Sequence, residues 1–211
     1  MTAGTAAPDR ALERYYQLHA RIYDATRWSF LFGRTRLTER VAALRLPTHI
    51  LEIGCGTGRN LTQLARQFPD ARLTGLDLSS DMLVRARRRL KSHGDRITLL
   101  HQAYTRPLDQ TPRFDLIVLS YCLSMINPGW ESVIASACQD LHPNGLIAVV
   151  DFHDSGWSVF RRWMSVNHVR LEGQLLPELY RQLRPLDSTV HRAYGGVWRY
   201  FHCIGTPIST G

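Results

Sequence analysis

The run ILEIGCGTGRN over residues 50–60 limits what this chain can fold into more than any other feature. An apolar strand passes through a glycine loop into the start of a helix. Gly54, Gly56 and Gly58 permit a tight turn and let backbone N–H groups approach a ligand closely. The spacing is G-x-G-x-G, whereas a fold that seats a pyrophosphate uses G-x-G-x-x-G. Glu52 lies just before the loop, and a carboxylate there repels a pyrophosphate. It suits a ligand that carries an ammonium group.

The rest of the chain alternates strands and helices. Leu12, Tyr15, Tyr16, His19, Ile22 and Tyr23 recur at helical spacing over residues 9–23, and a second helix is expected over about 35–44, broken by Pro47. Strands are expected at 49–53, 72–78, 97–102, 114–121 and 146–152. Helices fall between them at 60–68, from a Ser80 or Asp81 cap to about 92, and at 130–141, with a turn at the HPNG of 142–145. Such alternation implies a parallel sheet with right-handed crossovers. After residue 152 the pattern changes. Residues 158–183 read as mainly helical, and 188–194 with 197–203 flank Gly195 and Gly196 as a β-hairpin. The expected fold is α/β: a Rossmann-like, seven-stranded sheet, mostly parallel with a C-terminal antiparallel hairpin. Residues 1–46 divide off as a helical lid and possible membrane-contact segment, and 47–211 as the main domain.

Asp77 ends the second expected strand, 19 residues after Gly58. A carboxylate there can accept hydrogen bonds from both hydroxyls of a ribose. By itself it can equally cap the next helix. Glu52, the three glycines and Asp77 together favour the ribose.

Composition narrows the functional classes. The chain has 211 residues, enough for one full α/β core. No apolar run approaches the ~20 residues of a membrane span, and residues 1–8 lack the apolar core of a secretion signal. Cys55, Cys122, Cys138 and Cys203 form no C-x-x-C pair, so free thiols in a reducing cytoplasm are expected rather than zinc or disulfides. The net charge is +8, and every basic residue except Lys91 is Arg. That surface favours anionic partners, but no nucleic-acid motif accompanies it, and nucleic acid is not expected.

These residues resemble the class I S-adenosylmethionine (AdoMet)-dependent methyltransferases. The likeness rests on E-x-G-C-G-T-G from Glu52, the acid at the end of the second strand, and L-H-P-N-G before the fifth strand, over about residues 45–155. It implies AdoMet as cofactor, S-adenosylhomocysteine as product and no metal. Gly54, Gly56 and Gly58 would line the methionine side and Asp77 would hold the ribose, with Glu52, Cys55, Leu78 and Ser120 also counted as cofactor-binding. In many members an acid after the third strand meets the adenine amino group. Here His101, Gln102 and Ala103 stand in that place, so Gln102 would serve as an amide, with Ala103 beside it.

A second likeness lies outside this core. Residues 15–30, 119–126 and the terminal hairpin resemble bacterial lipid N-methyltransferases, the betaine-lipid and phosphatidylethanolamine enzymes. That implies an amine-bearing glycerolipid acceptor, methylated up to three times, and a cytoplasmic protein peripheral on the inner face of the membrane. The alternative is a soluble enzyme acting on a quinone, phenol or secondary metabolite.

Several residues carry two readings each. Tyr23 closes over the cofactor or packs as a core aromatic, and His19, one turn earlier, is a proton acceptor or a structural histidine. Tyr121 ends the fourth strand, where open sheets expose their ligand crevice, and is assigned to the pocket. Tyr23, His19 and Tyr121 are the catalytic candidates. Asp151 and His153 end the fifth strand and bind substrate or cap a helix. Tyr121, Trp198 and Tyr200 offer aromatic faces to a growing ammonium cation. Arg85, Arg87, Arg88, Arg89 and Lys91 form a solvated helix surface or a contact for anionic head groups. Trp28, Phe30, Leu31 and Phe32, bordered by Arg27, Arg34 and Arg36, form an interfacial anchor or pack inside.

Overall fold

The computed structural model describes residues 31–108, 113–126, 129–166, 171 and 173–208. The expected helix over 9–23, with His19 and Tyr23, and the aromatic residues Trp28 and Phe30 lie outside the described residues. Of two compact units, Met1–Phe32 and Gly33–Gly211, the second holds every element below.

In chain order these are α1 (Arg34–Leu44), β1 (His49–Ile53), α2 (Arg59–Gln67), β2 (Arg72–Asp77), α3 (Ser80–Leu90), β3 (Ile97–His101), β4 (Phe114–Ser120), α4 (Trp130–Asp140), β5 (Leu141–Phe152), α5 (Ser158–Val166), α6 (Leu175–Gln182), β6 (Leu183–Ala193) and β7 (Trp198–Pro207). Helix α1, grouped with the N-terminal segment on sequence grounds, thus packs within Gly33–Gly211.

The seven strands form one sheet in the order β3-β2-β1-β4-β5-β7-β6. Neighbours from β3 to β5 are parallel, and β7 runs antiparallel to both β5 and β6. This is the class I methyltransferase sheet that the alternation and the late hairpin predict. β1, β4 and the paired part of β5 are buried on both faces, which explains their unbroken apolar runs. Edge strand β6 is mostly half-buried or exposed. Strand order reverses between β1 and β4, so the crevice beyond their carboxyl ends is where a sheet of this kind takes a ligand.

The helices follow their apolar stripes. α2 buries Leu61, Leu64 and Ala65, and α3 buries Leu83, Ala86 and Leu90, each set spaced along one helical face. The cap of α3 is Ser79, not Ser80 or Asp81: its side chain accepts the N–H of Met82. Asp81 in the first turn and Arg87, Arg88 and Arg89 in the last suit the helix dipole.

The C-terminal third departs from expectation. The stretch 158–183 is two helices, and Leu183 already belongs to β6, paired with Pro207. The hairpin strands are longer than 188–194 and 197–203, with Ala193 opposite Trp198. Four residues turn the chain, because Tyr194 (φ 46°), Gly195 (φ 68°) and Gly196 (φ 104°) all take left-handed backbone. The HPNG turn loops out of the β4–β5 ladder, where Leu141 faces Phe114 and the next pair is Leu146 with Leu116.

Candidate active site

The glycine loop joins β1 to α2 and is held from three sides. Gly54 and Cys55 donate their N–H groups to the Leu76 carbonyl at 2.8 and 3.0 Å. Asp77 accepts the Gly56 N–H through Oδ2 at 2.7 Å and the Ser79 N–H through Oδ1 at 2.9 Å. Arg89 donates through Nη1 to the Thr57 carbonyl at 2.5 Å and its hydroxyl at 2.7 Å. The basic run on α3 is therefore not uniform in role: Arg89, exposed like Arg87, Arg88 and Lys91, reaches across to clasp the loop.

The three loop glycines all have left-handed backbone but face different neighbours. A β-carbon on Gly54 would lie 2.8 Å from Cβ of Cys122, and one on Gly58 2.9 Å from Leu90 and 3.2 Å from Ala86. Those two are glycine because protein packs against them. A β-carbon on Gly56 meets no described atom within 4 Å. Its N–H is held by Asp77 and its other side faces open space among the described residues.

Glu52 is 1% exposed and accepts a 3.0 Å hydrogen bond from Asn60 Nδ2, tying the end of β1 to the start of α2. Burial, followed by the charges of Glu52 and Asp77, pushes the Cys55 thiol far up, so it stays protonated and is no nucleophile. At the rim, Gln102 donates its backbone N–H to the Asp77 carbonyl at 3.2 Å, and His101 Nε2 lies 3.0 Å from the Leu78 carbonyl. Leu78 is 72% exposed, and Gln102 and Ala103 are exposed beside it. Gly56, Asp77, Leu78 and Gln102 thus converge on one edge of the crevice.

The ends of β4 and β5 form the other side. Tyr121 follows β4 with φ 54°, an unusual conformation for an aromatic residue and one of only two such non-glycine residues described. It is held there by its N–H bond to the Val150 carbonyl at 2.8 Å and by an edge contact with Phe152 at 4.7 Å. Ser120, 1% exposed, receives Arg34 Nε on its hydroxyl at 2.7 Å, and the Arg34 guanidinium lies over the Tyr121 ring, 5.8 Å from its centre. Sequence reasoning placed Arg34 only in a surface border. Its partners stand 86 and 87 positions away, and no local pattern signals them.

Asp151 is fully buried. It accepts the backbone N–H groups of Ser124 at 3.1 Å and Phe152 at 2.7 Å, which bolts the turn after β4 to β5. Burial pushes its carboxyl up to about 6 against those hydrogen bonds. Of the two readings for Asp151, substrate ligand or cap, this geometry is neither: it is a strut. Asp154 is ion-paired with Arg199, and burial holds the His153 imidazole below its usual range. The expected set of open aromatic faces is not assembled. Tyr121 lies under Arg34, Trp198 stacks on Phe160 and leans on Tyr194, and Tyr200 stacks on His191 and backs onto Gly33.

Comparison with known proteins agrees with this geometry. Residues 50–145 match the methyltransferase domain family, a span that holds the glycine loop and the end of β4. A bifunctional biotin-biosynthesis protein of Bordetella avium is 30% identical over 77% of this chain and 34% of its own length. The trans-aconitate 2-methyltransferase of Methylobacterium nodulans is 31% identical over 60% of this chain and 48% of its own length. The chain thus spans about a third to a half of these curated relatives. Among solved structures, the Burkholderia thailandensis 1,6-didemethyltoxoflavin-N1-methyltransferase, with that compound and S-adenosylhomocysteine bound, superposes with a TM-score of 0.69. The match covers 99% of this chain and 94% of that one at 19% identity, which makes it a likeness of fold.

Proposed function

We propose that this chain transfers a methyl group from AdoMet to a small-molecule acceptor. The observation that carries the reading is Gly56: a loop glycine with an open face, its N–H fixed by Asp77, at the point where the strand order reverses. An open approach to a loop glycine, next to a carboxylate and an exposed Leu78, fits a ligand with a polar chain, a ribose and a flat apolar ring. Bound AdoMet supplies an electrophilic methyl carbon on a sulfonium.

The chain's own residues do the rest. The left-handed loop brings backbone close to the ligand, and Arg89 and Asp77 keep it from moving. Each Asp77 oxygen already accepts one N–H and keeps a second lone pair for a ribose hydroxyl. Leu78 offers an apolar platform for the adenine, with His101 and Gln102 as polar groups at the same rim. Glu52 places negative charge behind the loop, on the side suited to the ammonium group.

The acceptor is better read as a small molecule than as a lipid head group. The printed substrates of the similar proteins, trans-aconitate and 1,6-didemethyltoxoflavin, are small molecules. The aromatic faces that would shelter a trimethylammonium product are covered by protein groups. Calorimetry with S-adenosylhomocysteine tests the cofactor half: saturable one-to-one binding is expected, and its absence rejects the reading. Transfer of labelled methyl from AdoMet to soluble acids, phenols, quinones and amine-headed lipid vesicles tests the acceptor half. Label recovered only in the lipid overturns the small-molecule reading.

A further inference from the structure

We propose that His153 is the proton acceptor of the methyl transfer, and that the methyl acceptor is a small molecule whose attacking oxygen or nitrogen carries a proton. The proposal rests on the methyl-transfer reading and names the substrate class of the same site. It follows from where β5 ends and from what surrounds the imidazole. β5 lies beside β4, and its last residue is Phe152. The ladder with β7 runs on through His153, whose N–H reaches the Arg199 carbonyl at 2.9 Å. Side chains alternate along an extended chain, so His153 shares a face with Asp151. The Ser124 N–H bolts the turn after β4 to Asp151 on that face. The imidazole therefore stands past the level of that turn, at the carboxyl ends of the sheet where an acceptor arrives.

The ring is clamped. Its edge meets Phe201, with 6.2 Å between ring centres. Gly173 donates its N–H to the His153 carbonyl at 2.8 Å, and a β-carbon on Gly173 would lie 3.2 Å from the imidazole Cε1. Nδ1 is buried with no hydrogen-bond partner among the described residues. A buried polar atom left without a partner destabilises a fold, and an apolar side chain would fill the place without that penalty. The imidazole earns its place through its other nitrogen, Nε2, since the ring is only half-buried.

The surroundings keep this ring neutral. A proton on Nδ1 finds no acceptor, so a second proton on Nε2 makes a cation unsupported on its buried side. Burial lowers the imidazole's hold on that proton, Asp154 strengthens it and Arg199 weakens it, while Phe201 and Gly173 bring no charge. A neutral imidazole near pH 7 is the state that accepts a proton. The neighbouring acids are engaged: Asp151 accepts the N–H groups of Ser124 and Phe152, and Asp154 is paired with Arg199. In the transfer, the O–H or N–H proton of the acceptor passes to Nε2 while the lone pair of that oxygen or nitrogen forms the bond to the methyl carbon. The sulfonium S–C bond breaks, and its electron pair stays on the neutral thioether sulfur. The imidazolium then returns its proton to solvent. A carboxylate needs no such group, because its nucleophile is already an anion.

The test uses the full chain. Calorimetry first establishes binding of S-adenosylhomocysteine to the wild type, His153→Gln and His153→Ala. Failure of the wild type to bind defeats the methyl-transfer reading itself. With binding shown, labelled AdoMet is offered with phenols, heteroaromatic N–H compounds and carboxylates. Transfer to the first two classes is expected. Their kcat/KM should fall about tenfold per pH unit below the pKa of the His153 imidazole. Proton NMR of the histidine rings reads that pKa separately and should place it below 6.5. His153→Gln should lower kcat about a hundredfold or more and abolish the acid limb, with S-adenosylhomocysteine affinity unchanged. Added imidazole should restore part of the activity of His153→Ala. If a variant loses S-adenosylhomocysteine affinity, the wild type decides: agreement of the kinetic and NMR pKa values supports the proposal and disagreement overturns it. Transfer to carboxylates alone, transfer to none of these compounds, an acid limb that survives in His153→Gln, or a His153→Ala defect that imidazole leaves unrelieved each overturns it.

Discussion

Substituting alanine at Gly56 and at Gly58 should separate ligand approach from packing within a single loop. Both residues have left-handed backbone, φ 54° and φ 73°, so either alanine costs about 1–2 kcal/mol of conformational strain. They differ in what the new methyl meets. At Gly56 it meets no described atom within 4 Å, so strain is the whole cost to the free protein. At Gly58 it lands 2.9 Å from Leu90 and 3.2 Å from Ala86, which adds roughly 1–3 kcal/mol of overpacking. For a domain of this size about 1 kcal/mol lowers Tm by roughly 2–4 °C. Gly56→Ala should therefore lose about 2–8 °C and Gly58→Ala roughly 4–20 °C. Affinity for S-adenosylhomocysteine should fall in the opposite order. The Gly56 methyl occupies the space kept for the ligand and should weaken binding by about tenfold or more, or ~1.4 kcal/mol. The Gly58 methyl presses on α3 and should change affinity less. Differential scanning fluorimetry and calorimetry on both variants give the four numbers. If Gly56→Ala binds like the wild type while Gly58→Ala loses binding, the ligand is not on the Gly56 face and the site has been assigned to the wrong side of the loop.

Asp77→Ala should weaken S-adenosylhomocysteine binding by about 1.5–3 kcal/mol, the scale of hydrogen bonds to a charged group, and unchanged affinity by calorimetry rejects its role. Asp151 and His191 should tilt stability with pH in opposite directions. As pH falls through about 6, folded Asp151 binds a proton before the unfolded chain does, so stability rises toward pH 4, by about 3 kcal/mol at most for a shift of roughly two units. His191 behaves the other way: burial, His202 and Arg36 hold its imidazole below 6.5, against Asp187, so the unfolded chain protonates first and stability falls as pH drops below 6.5. In urea titrations between pH 4 and 8, Asp151→Asn should lose the acid gain and His191→Gln should enlarge it; equal slopes in both variants refute the assignment. Arg40→Ala should let folded Asp187, which burial pushes up but Arg40 and His202 hold below its usual range, take its proton at higher pH, so the stability that this carboxylate loses in acid should be smaller than in the wild type in the same urea titrations.

The parts of the molecule legible in the sequence are those whose signals are local. The loop motif sits inside eleven consecutive residues, and the strand-helix alternation repeats with a period short enough to count. Errors of detail were also local in origin. Three serine or aspartate candidates stand together at residues 79–81, and pattern alone does not decide which one accepts the Met82 N–H. The early start of β6 at Leu183 depends on pairing with Pro207, 24 residues on. Propensity in that stretch is overruled by the neighbouring strand.

The glycine loop and the acceptor end differ in how chemistry is encoded, and that difference explains what could be read. At the loop, a backbone conformation is the functional device, and a backbone conformation demands particular residue types in order along the chain. At the carboxyl ends of β4 and β5 the device is an arrangement of side chains. Arg34 reaches Ser120 and Tyr121 across most of the parallel sheet's sequence, and Phe160 covers Trp198 from 38 positions away. A sequence shows Tyr121, Trp198 and Tyr200 as three aromatic residues; only the fold shows that protein groups lie against each of their rings. The same three residues suggested a cation-sheltering pocket on sequence grounds, and their neighbours show rings packed within the protein. Chemistry resides in a site built on a fold and not in the fold itself, so side chains that meet at strand ends from distant segments leave no motif to read.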